Sequence, residues 1–258
     1  MEKVLEGRVA VVTGASGGLG AHFARLLARA GASVALTARR VDMVETLAGE
    51  IAAEGHRAMA LRLDVADAAA IGPAFDEVET VLGPISILIN NAGVGGEGLA
   101  LDLTPEVWDQ TFAVNVRGVF FAAQAAARRM IASGVAAEEA GRIVNIASIA
   151  SHTVLPGLSA YNASKAAVAM LTRSLAREWS RRGIAVNALC PGYIETDINA
   201  GWFQTEGGQK QLKGFPRRRL MEAGDLDAAL LMLSGPAARA IAGSIITVDD
   251  GQSLPGGG

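Results

Sequence analysis

Cysteine and histidine are scarce in this sequence, and their scarcity excludes several kinds of chemistry. The chain has one cysteine, Cys190, which cannot form an intrachain disulfide and which favours the cytoplasm over an oxidising compartment. The three histidines, His22, His56 and His152, lie far apart, so no cysteine/histidine cluster has the spacing of metal ligands. We therefore expect neither a metal ion nor an intrachain disulfide.

A dominant sign of charge and long apolar runs are also lacking. The sequence contains 23 Lys and Arg residues against 26 Asp and Glu residues, a formal net charge of −3. A nucleic-acid partner usually requires a basic face, so none is expected. No window reaches the roughly 18 apolar residues of a membrane span, and residues 1–7 lack the apolar segment of a signal peptide. The sequence thus predicts a cytoplasmic protein without a membrane partner.

Hydrophobic residues, in contrast, make up 50% of the chain, and 31 glycines are spread along it. A chain of 258 residues can bury one sizeable core in a single large domain. Apart from a short glycine-rich tail at 255–258, no change in composition marks a linker. The prediction is one domain spanning residues 1–258.

Short β-branched, apolar runs alternate with segments of helical period, which predicts an α/β fold. The predicted strands are Arg8–Thr13, Ser33–Thr37, Arg57–Leu63, Ile85–Asn90, Arg142–Ala147, Ile184–Leu189 and Ser244–Val248. The predicted helices are 18–30, 41–54, 67–82, 105–133, 159–182 and 223–234. Runs without apolar/polar alternation indicate strands buried on both faces, hence a parallel, doubly wound sheet with helices on both faces. Functional residues are then expected just after strands.

A glycine-rich turn follows the first predicted strand directly, at Thr13–Gly20. The order of strand, glycine turn and helix lets the backbone approach a pyrophosphate and directs a helix N-terminus at its charge. The contacts predicted from this turn are Gly14, Ser16, Gly18, Leu19 and Gly20. No lysine follows Gly20, so the other common phosphate loop is excluded, and the turn favours a dinucleotide.

The end of the second strand indicates which dinucleotide binds. An NAD enzyme usually has an acidic residue there, but this chain has Ala38 followed by Arg39 and Arg40. A guanidinium can bond a 2′-phosphate, which would favour NADP(H) by about ten- to hundredfold. Alternatively, the two arginines are solvated residues at the start of a helix. We favour the NADP(H) interpretation.

With these segments identified, the chain resembles the short-chain dehydrogenases/reductases, in their single-domain type of about 250 residues, from Gly7 to Gly251. The resemblance comes from motifs in the family's order. These are Thr13–Gly20, Asp64-Val65, Asn90–Gly93, Asn115–Gly118, Ser148, Tyr161–Lys165 and Pro191-Gly192. Residues 133–141 are longer than usual, and Val248–Gly251 departs from the common ending.

The resemblance implies a Rossmann-like fold with a seven-stranded sheet and a catalytic tetrad of Asn115, Ser148, Tyr161 and Lys165. It also implies cofactor contacts. Asp64 and Val65 would meet the adenine; Asn91, Ala92 and Gly93 the ribose; and Ile194 and Thr196 the carboxamide, after Pro191 and Gly192. It further implies a homotetramer or homodimer, built through two long helices and the C-terminal strand.

The tetrad residues suit the reduction of a carbonyl group. Tyr161 and Lys165 are four residues apart on a helix, so they share one face. We expect the lysine to lower the pKa of the tyrosine and to reach the cofactor ribose. Ser148 would bond the substrate oxygen as charge builds there, while Asn115, by resemblance, would brace a water molecule. The chain is thus expected to be a ketoreductase or alcohol dehydrogenase.

The substrate is less determined by the sequence. Segments after the strands contribute an apolar wall, which favours a hydrophobic ketone or alcohol. Its residues are Val94, Leu99, Ile149, Val154, Leu155, Leu158, Trp202 and Phe203. Residues 195–215 have the composition of a mobile lid. His152 is a surface residue or part of this pocket, and Cys190 is interpreted as a buried, small apolar residue.

Two other functions remain open. The chain could be a 3-oxoacyl-thioester reductase, in which Arg217–Arg219 would meet an acidic carrier; otherwise these arginines are solvated. It could also be a nucleotide-sensing protein that has lost catalysis, although every member of the tetrad is present. A Ser/His hydrolase is excluded, because no Gly-x-Ser-x-Gly pattern surrounds Ser148.

Overall fold

Seven parallel strands form the centre of the protein, whose computed structural model describes residues 3–194 and 200–254. The strands are β1 (Val9–Thr13), β2 (Ser33–Ala38), β3 (Ala58–Arg62), β4 (Ile85–Asn90), β5 (Gly141–Ile146), β6 (Ile184–Pro191) and β7 (Ile245–Val248). They lie in the order β3-β2-β1-β4-β5-β6-β7, and every neighbouring pair is parallel. The predicted doubly wound, seven-stranded sheet is confirmed.

Helices cover both faces of this sheet. The α-helices of the described residues are α1 (Gly18–Arg29), α2 (Val41–Ala53), α3 (Ala68–Leu82), α4 (Pro105–Phe112), α5 (Val119–Ala132), α6 (Ser159–Trp179), α7 (Ala200–Phe203), α8 (Glu206–Gly214) and α9 (Asp227–Ser234). Five short segments have other helical forms. They are a π-helix at Ala113–Gly118 and 3₁₀ turns at Ile149–Ser151, Ser180–Arg182, Ala223–Leu226 and Pro236–Ala240. Among the helices that the structure describes, none is both long and apolar enough to cross a bilayer.

The largest difference from the predicted elements is in the helix expected at 105–133. It is divided by the π-helix Ala113–Gly118, where the hydrogen-bonded turn is wider. Gly118 packs there against Val65, and a Cβ on Gly118 would lie 2.8 Å from the Val65 carbonyl oxygen. Apolar periodicity continues across the wide turn, so the sequence pattern does not indicate it. The helices α7 and α8 and the 3₁₀ turn Pro236–Ala240 were also not predicted.

The hydrophobic core lies in two layers, one on each face of the sheet. One layer packs α1 and α9 against the strands, with Phe23 and Leu230 fully buried. The other packs α3 and α5 against the opposite face, with Phe75 and Met130 fully buried. Every residue of β1, β4, β5 and β6 is buried, as expected for strands covered on both faces.

The connections place a crevice at the carboxyl ends of β1 and β4. From β1 the chain builds β2 and β3 to one side, then crosses to β4 on the other side. The loops after β1 and β4 therefore leave the sheet in opposite directions. Ligands bind at such a switch point in open α/β sheets.

A chain of buried polar side chains joins the two central strands to the helix beside them. Asn90 Nδ2 donates to Asn145 Oδ1 at 2.9 Å, and Asn145 Nδ2 donates to Thr172 Oγ1 at 2.9 Å. Thr172 in turn donates to the Val168 carbonyl oxygen at 2.8 Å. All of these groups are buried and bonded, so the network fixes α6 relative to β4 and β5.

This network predicts a difference between two hydroxyl groups of α6. Thr172→Val removes a buried acceptor and should lower the free energy of unfolding by about 1–3 kcal/mol. Ser174→Ala is the matched control: Ser174 also donates to the carbonyl four residues earlier, but it is exposed. Ser174→Ala should change the free energy of unfolding by no more than about 0.5 kcal/mol. Urea unfolding measures both variants, and equal losses would contradict the structural role given to Asn145 and Thr172.

Candidate active site

Two glycines let the turn after β1 approach the loop after β4. Gly14 has a φ of +68°, and a Cβ there would lie 2.7 Å from the Ala92 Cα. A Cβ on Gly20 would lie 2.2 Å from the Gly14 carbonyl oxygen and 2.5 Å from Asn91 Nδ2. Any larger residue at either position would push these two loops apart.

Hydrogen bonds hold the same two loops together. Thr13 Oγ1 accepts from the backbone N–H of Asn91 at 3.0 Å and from that of Ala92 at 3.1 Å. The Asn91 side chain donates to the carbonyl oxygens of Thr13 at 3.0 Å and Gly14 at 3.1 Å. The segment predicted to meet the cofactor ribose therefore lies directly against the glycine turn.

The start of α1 is suited to an anion. Among the described residues, no side chain caps its first turn, so the first amide groups are not bonded in that way. A Cβ built on Gly17 or Gly18 would meet no atom within 4 Å, so space is open above the turn. Leu19, the next residue, packs partly against the core below. Open amides at a helix N-terminus fit the pyrophosphate of a dinucleotide.

Of the two arginines after β2, Arg40 contacts this turn. Arg40 is the N-cap residue of α2, and its Nη2 donates to Ser16 Oγ at 3.0 Å. Arg39, beside it, is exposed. Within the described part of the chain neither guanidinium forms an ion pair with a carboxylate. Both are therefore able to bind an anionic group at the edge of the crevice.

The end of β3 is held rigidly near the same crevice. Asp64 Oδ1 accepts from the Ala66 backbone N–H at 3.0 Å, which turns the chain immediately after the strand. Val65 is buried against Gly118 of the π-helix. The wide turn in the helix thus supports a loop on which two cofactor contacts are predicted.

Ser148, Tyr161 and Lys165 come together where β5 ends and α6 begins. Ser148 Oγ accepts from the Ala150 N–H at 3.1 Å, and its hydroxyl interacts with the Tyr161 phenol. Lys165 Nζ lies 5.5 Å from the centre of the Tyr161 ring and donates to the Ile146 carbonyl oxygen at 2.8 Å. The spacing of four residues does place the lysine and tyrosine on one face of the helix, as predicted.

The acidity of this pair differs from the expectation. Burial raises the pKa of Tyr161 above its ordinary value, although the hydrogen bond from Ser148 acts in the opposite direction. Burial also lowers the pKa of Lys165 to about 8. The expected lowering of the tyrosine pKa is not found, because the cost of burying the phenolate outweighs the hydrogen bond from Ser148.

Asn115 is fully buried in the π-helix, and its side chain is occupied by the chain itself. Its Oδ1 accepts from the Val94 N–H at 2.9 Å, while its Nδ2 donates to the Val94 carbonyl oxygen at 2.9 Å and to Ser164 Oγ at 3.0 Å. The amide therefore fixes the loop after Gly93 to α6. A Cβ on Gly93 would lie 3.4 Å from Asn115 Oδ1 and 3.6 Å from Lys165 Nζ, so this loop touches two residues of the predicted tetrad.

The remaining predicted cofactor residues follow β6. Pro191 ends the strand, and a Cβ on Gly192 would lie 2.8 Å from the Asp249 Cα, so a larger residue would displace the C-terminal turn. Ile194 is buried next to it. Thr196 lies outside the described residues.

A small apolar cluster borders Ser148 and Tyr161. Its buried members are Ile149, Ala150 and Leu155, and Leu158, Tyr161 and Tyr193 pack against them. These residues bring three of the predicted pocket residues together with a tyrosine that the sequence analysis did not single out. The apolar wall therefore includes the residues that pack beside Tyr161.

Other predicted pocket residues lie elsewhere. Val94 packs against the core on the α3/α5 face, and Phe203 is buried against Tyr193. Three large side chains are instead exposed: Leu99, Val154 and Trp202. Residues 200–203 and 206–214 of the predicted lid are helical, whereas 195–199 lie outside the described residues.

The arginine cluster at 217–219 is tied to the chain itself. Arg217 Nη1 lies 3.3 Å from Asp250 Oδ1, and Arg219 Nε lies 3.0 Å from Asp250 Oδ2. These ion pairs weaken the interpretation that the cluster binds an acidic carrier. Cys190 is fully buried, and His152 is exposed. The described residues contain no group of three or more His, Cys, Asp or Glu able to hold a metal ion.

Sequence reasoning missed several residues that organise this site. Thr13 and Gln252 act through hydrogen bonds to backbone atoms that are distant in sequence. Asn145 acts through hydrogen bonds between its buried amide and the side chains of Asn90 and Thr172. A polar residue within an otherwise apolar strand was the signal for Asn145. No comparable signal marks Gln252, because its partners come from the loop after β6.

Known proteins resemble the chain over nearly its whole length. The family model for short chain dehydrogenase matches residues 8–207. Galactitol 2-dehydrogenase (L-tagatose-forming) of Cereibacter sphaeroides is 40% identical, over 97% of this chain and 96% of that protein. Gluconate 5-dehydrogenase of Gluconobacter oxydans (strain 621H) is 37% identical, over 97% and 96%.

A solved structure agrees with these relatives. The gluconate 5-dehydrogenase from Burkholderia cenocepacia J2315, in complex with NADP and tartrate, is 36% identical, with a TM-score of 0.91 over 97% of each chain. Family model, relatives and structure therefore match the chain in sequence and in fold. The chain belongs to the short-chain dehydrogenase family and is an oxidoreductase of alcohol or ketone substrates.

Proposed function

We propose that the protein is an NADP(H)-dependent oxidoreductase that reduces a ketone and, in reverse, oxidises the secondary alcohol. The observation that carries the proposal is the convergence of Ser148, Tyr161 and Lys165 at the crevice. The loop at Gly93 joins this cluster to the glycine turn. A group that binds a dinucleotide and a group that moves a proton therefore share one site.

Tyr161 is the acid in reduction and the base in oxidation. The nicotinamide, when bound, exchanges the hydride, so the protein has to supply the proton and hold the oxygen. The Ala150 N–H engages a lone pair of Ser148 Oγ, so the single hydroxyl hydrogen can turn from the Tyr161 phenol to a substrate oxygen. Tyr161, which interacts with the same hydroxyl, is positioned to protonate that oxygen.

Lys165, whose Nζ lies 5.5 Å from the centre of the Tyr161 ring, is the second functional group of the site. Its ammonium group is fixed by the Ile146 carbonyl and lies beside Gly93, so its other hydrogens can reach a ribose held by that loop. With a pKa of about 8 it is largely charged at neutral pH, so it can donate hydrogen bonds to that ribose. Asn115 completes the tetrad by holding the loop at Val94 in place.

The preference for NADP(H) rests on Arg39 and Arg40. Arg40 already donates a hydrogen bond to Ser16 in the glycine turn, so its guanidinium lies next to the place expected for a phosphate on the adenosine ribose. Two cations and no carboxylate at this strand end favour a 2′-phosphate. The Burkholderia cenocepacia relative bound to NADP supports a nicotinamide cofactor of this kind.

The apolar cluster beside Tyr161 favours a ketone with a hydrophobic substituent. A polyol or sugar-acid substrate is a second candidate, since the galactitol and gluconate dehydrogenases are relatives. Cofactor oxidation at 340 nm with aliphatic, aryl and bicyclic ketones, a 3-oxoacyl thioester, L-tagatose and 5-ketogluconate distinguishes them. Turnover confined to the last two compounds would replace the hydrophobic substrate by the polyhydroxylated one.

We also propose a cytoplasmic homotetramer or homodimer. Trp108 on α4 and Met170 on α6 are large apolar side chains that remain exposed on the single chain, 41% and 60% respectively. Met170 borders a groove between these helices, which Phe112 and Leu171 also line and which a second copy could cover.

The arginine proposal makes a prediction about cofactor choice. Replacing Arg39 and Arg40 together by Ala should raise the KM for NADPH by about ten- to hundredfold, because charge-assisted hydrogen bonds to the 2′-phosphate are lost. The KM for NADH should change little, since NADH lacks that phosphate. Initial rates with the best ketone of the panel measure both constants.

Arg29→Ala is the control for removing a surface charge, since Arg29 is paired with Glu54 at the far end of α1. It should leave both KM values unchanged. An equal loss for NADPH and NADH in the double variant would contradict the assignment of these arginines to the 2′-phosphate.

The raised pKa of Tyr161 predicts that the two directions of the reaction depend differently on pH. Below that pKa the phenol stays protonated, so ketone reduction should be nearly independent of pH between about 6 and 8. Alcohol oxidation needs the phenolate, whose fraction grows about tenfold per pH unit, so its rate should rise with pH. Values of kcat/KM in both directions test this, and oxidation that falls with increasing pH would contradict it.

A further inference from the structure

The second tyrosine of the chain, Tyr193, lies beside the catalytic one. It follows Pro191-Gly192 at the end of β6, and its ring packs with Tyr161 against the cluster of Ile149 and Leu155. The two phenols are near enough to interact electrostatically. Tyr193 therefore lies beside Tyr161 at the carboxyl end of β6, the strand next to β5.

The Tyr193 ring is fixed on its other sides by aromatic residues. It meets Phe203 edge-on, with 5.7 Å between ring centres, and stacks on Phe215 at 5.4 Å. Its hydroxyl interacts with the side chain of Gln211 on α8. Three contacts from the segment after β6 thus hold a half-buried ring in one orientation.

The backbone of Tyr193 is held from the C-terminal end of the chain. Gln252 Oε1 accepts from the Tyr193 N–H at 2.6 Å, and Gln252 Nε2 lies 3.5 Å from the Tyr193 carbonyl oxygen and 3.3 Å from that of Arg219. The Met221 N–H also donates to the Tyr193 carbonyl, at 3.0 Å. The Gln252 amide therefore contacts both the backbone N–H and the carbonyl oxygen of Tyr193.

The turn that carries Gln252 is itself anchored. Asp249 accepts from the N–H groups of Gly251 and Ser253 at 3.0 and 2.8 Å, which closes the turn. Asp250 pairs with Arg217 and Arg219, which precede β7 in the chain. The position of Gln252, and through it that of Tyr193, is thus determined by the C-terminal turn.

We propose that Tyr193 is a specificity-determining residue whose ring limits the size of the substrate substituent beside Tyr161, and that Gln252 is the positioning residue that fixes this ring. The inference rests on the proposed function, since it takes Tyr161 as the acid that marks the reacting oxygen. A ring set rigidly against the reacting centre limits how large a group can lie there. Removing the ring should therefore admit bulkier ketones and weaken the binding of small ones.

The test compares two ketones, butan-2-one and 1-acetylnaphthalene. Tyr193→Ala should raise the ratio of kcat/KM for 1-acetylnaphthalene over butan-2-one by about tenfold or more. Tyr193→Phe, which keeps the ring and loses the hydroxyl, should restore most of the original ratio. The Kd for NADPH, measured by its fluorescence, should be the same in both variants, since the ring faces the substrate.

Gln252→Met tests the positioning role, because it keeps the length of the side chain and removes its hydrogen bonds. It should shift the ratio in the same direction as Tyr193→Ala, through a higher KM for butan-2-one rather than through a loss of folded protein. Ser253→Ala is the control in the same turn. Its backbone bond to Asp249 is kept, so the ratio should stay at the original value.

Two results would overturn the inference: an unchanged ratio in folded Tyr193→Ala that binds NADPH, or equal ratios in Tyr193→Ala and Tyr193→Phe. A different result would show that the proposed function itself is wrong: ketone turnover would then persist in the Tyr161→Phe variant. The effect of Tyr193→Ala can also be measured without turnover, in the Tyr161→Phe background. There the quenching of bound NADPH fluorescence reports the affinity for each ketone. There too the larger ketone should gain affinity relative to the smaller one.

Discussion

The close approach of the loops after β1 and β4 is the constraint on which the site depends. Thr13 and Asn91 join these loops by four hydrogen bonds, and the missing Cβ atoms of Gly14 and Gly20 provide the space. Because the loops are joined, Gly93 lies next to the Lys165 ammonium group. Open α/β sheets bind ligands at the switch point between such loops. In this protein these hydrogen bonds and the two glycines form that switch point.

A second set of buried hydrogen bonds fixes α6 to the central strands and to the loop after β4. The Asn90, Asn145 and Thr172 network ties α6 to the strands, and Asn115 ties α6 to the loop after Gly93. Burial has an energetic consequence at the same place. It raises the pKa of Tyr161 and lowers that of Lys165 to about 8, so both groups favour their neutral forms more than they would in water.

Much of the fold and the site could be predicted from the sequence, because local patterns determine them. Buried strands and the glycine turn show as runs of apolar residues and as Thr13–Gly20, and the spacing of Tyr161 and Lys165 follows from helix geometry. Features that depend on distant partners could not be predicted. The π-helix at Ala113–Gly118 and the Gln252 contact with Tyr193 depend on tertiary packing, and burial reversed the expected pKa shift of Tyr161.

The central claim is that the Tyr161 hydroxyl moves the proton in a site that binds NADPH independently of it. Steady-state turnover and NADPH binding of Tyr161→Phe test this claim most directly, with Ser174→Ala on the exposed face of the same helix as control. The account predicts a loss of about 10²- to 10⁴-fold in kcat with NADPH affinity retained. Turnover within about tenfold of the unmodified protein would contradict it, because general acid catalysis by this phenol would then contribute too little to define the mechanism.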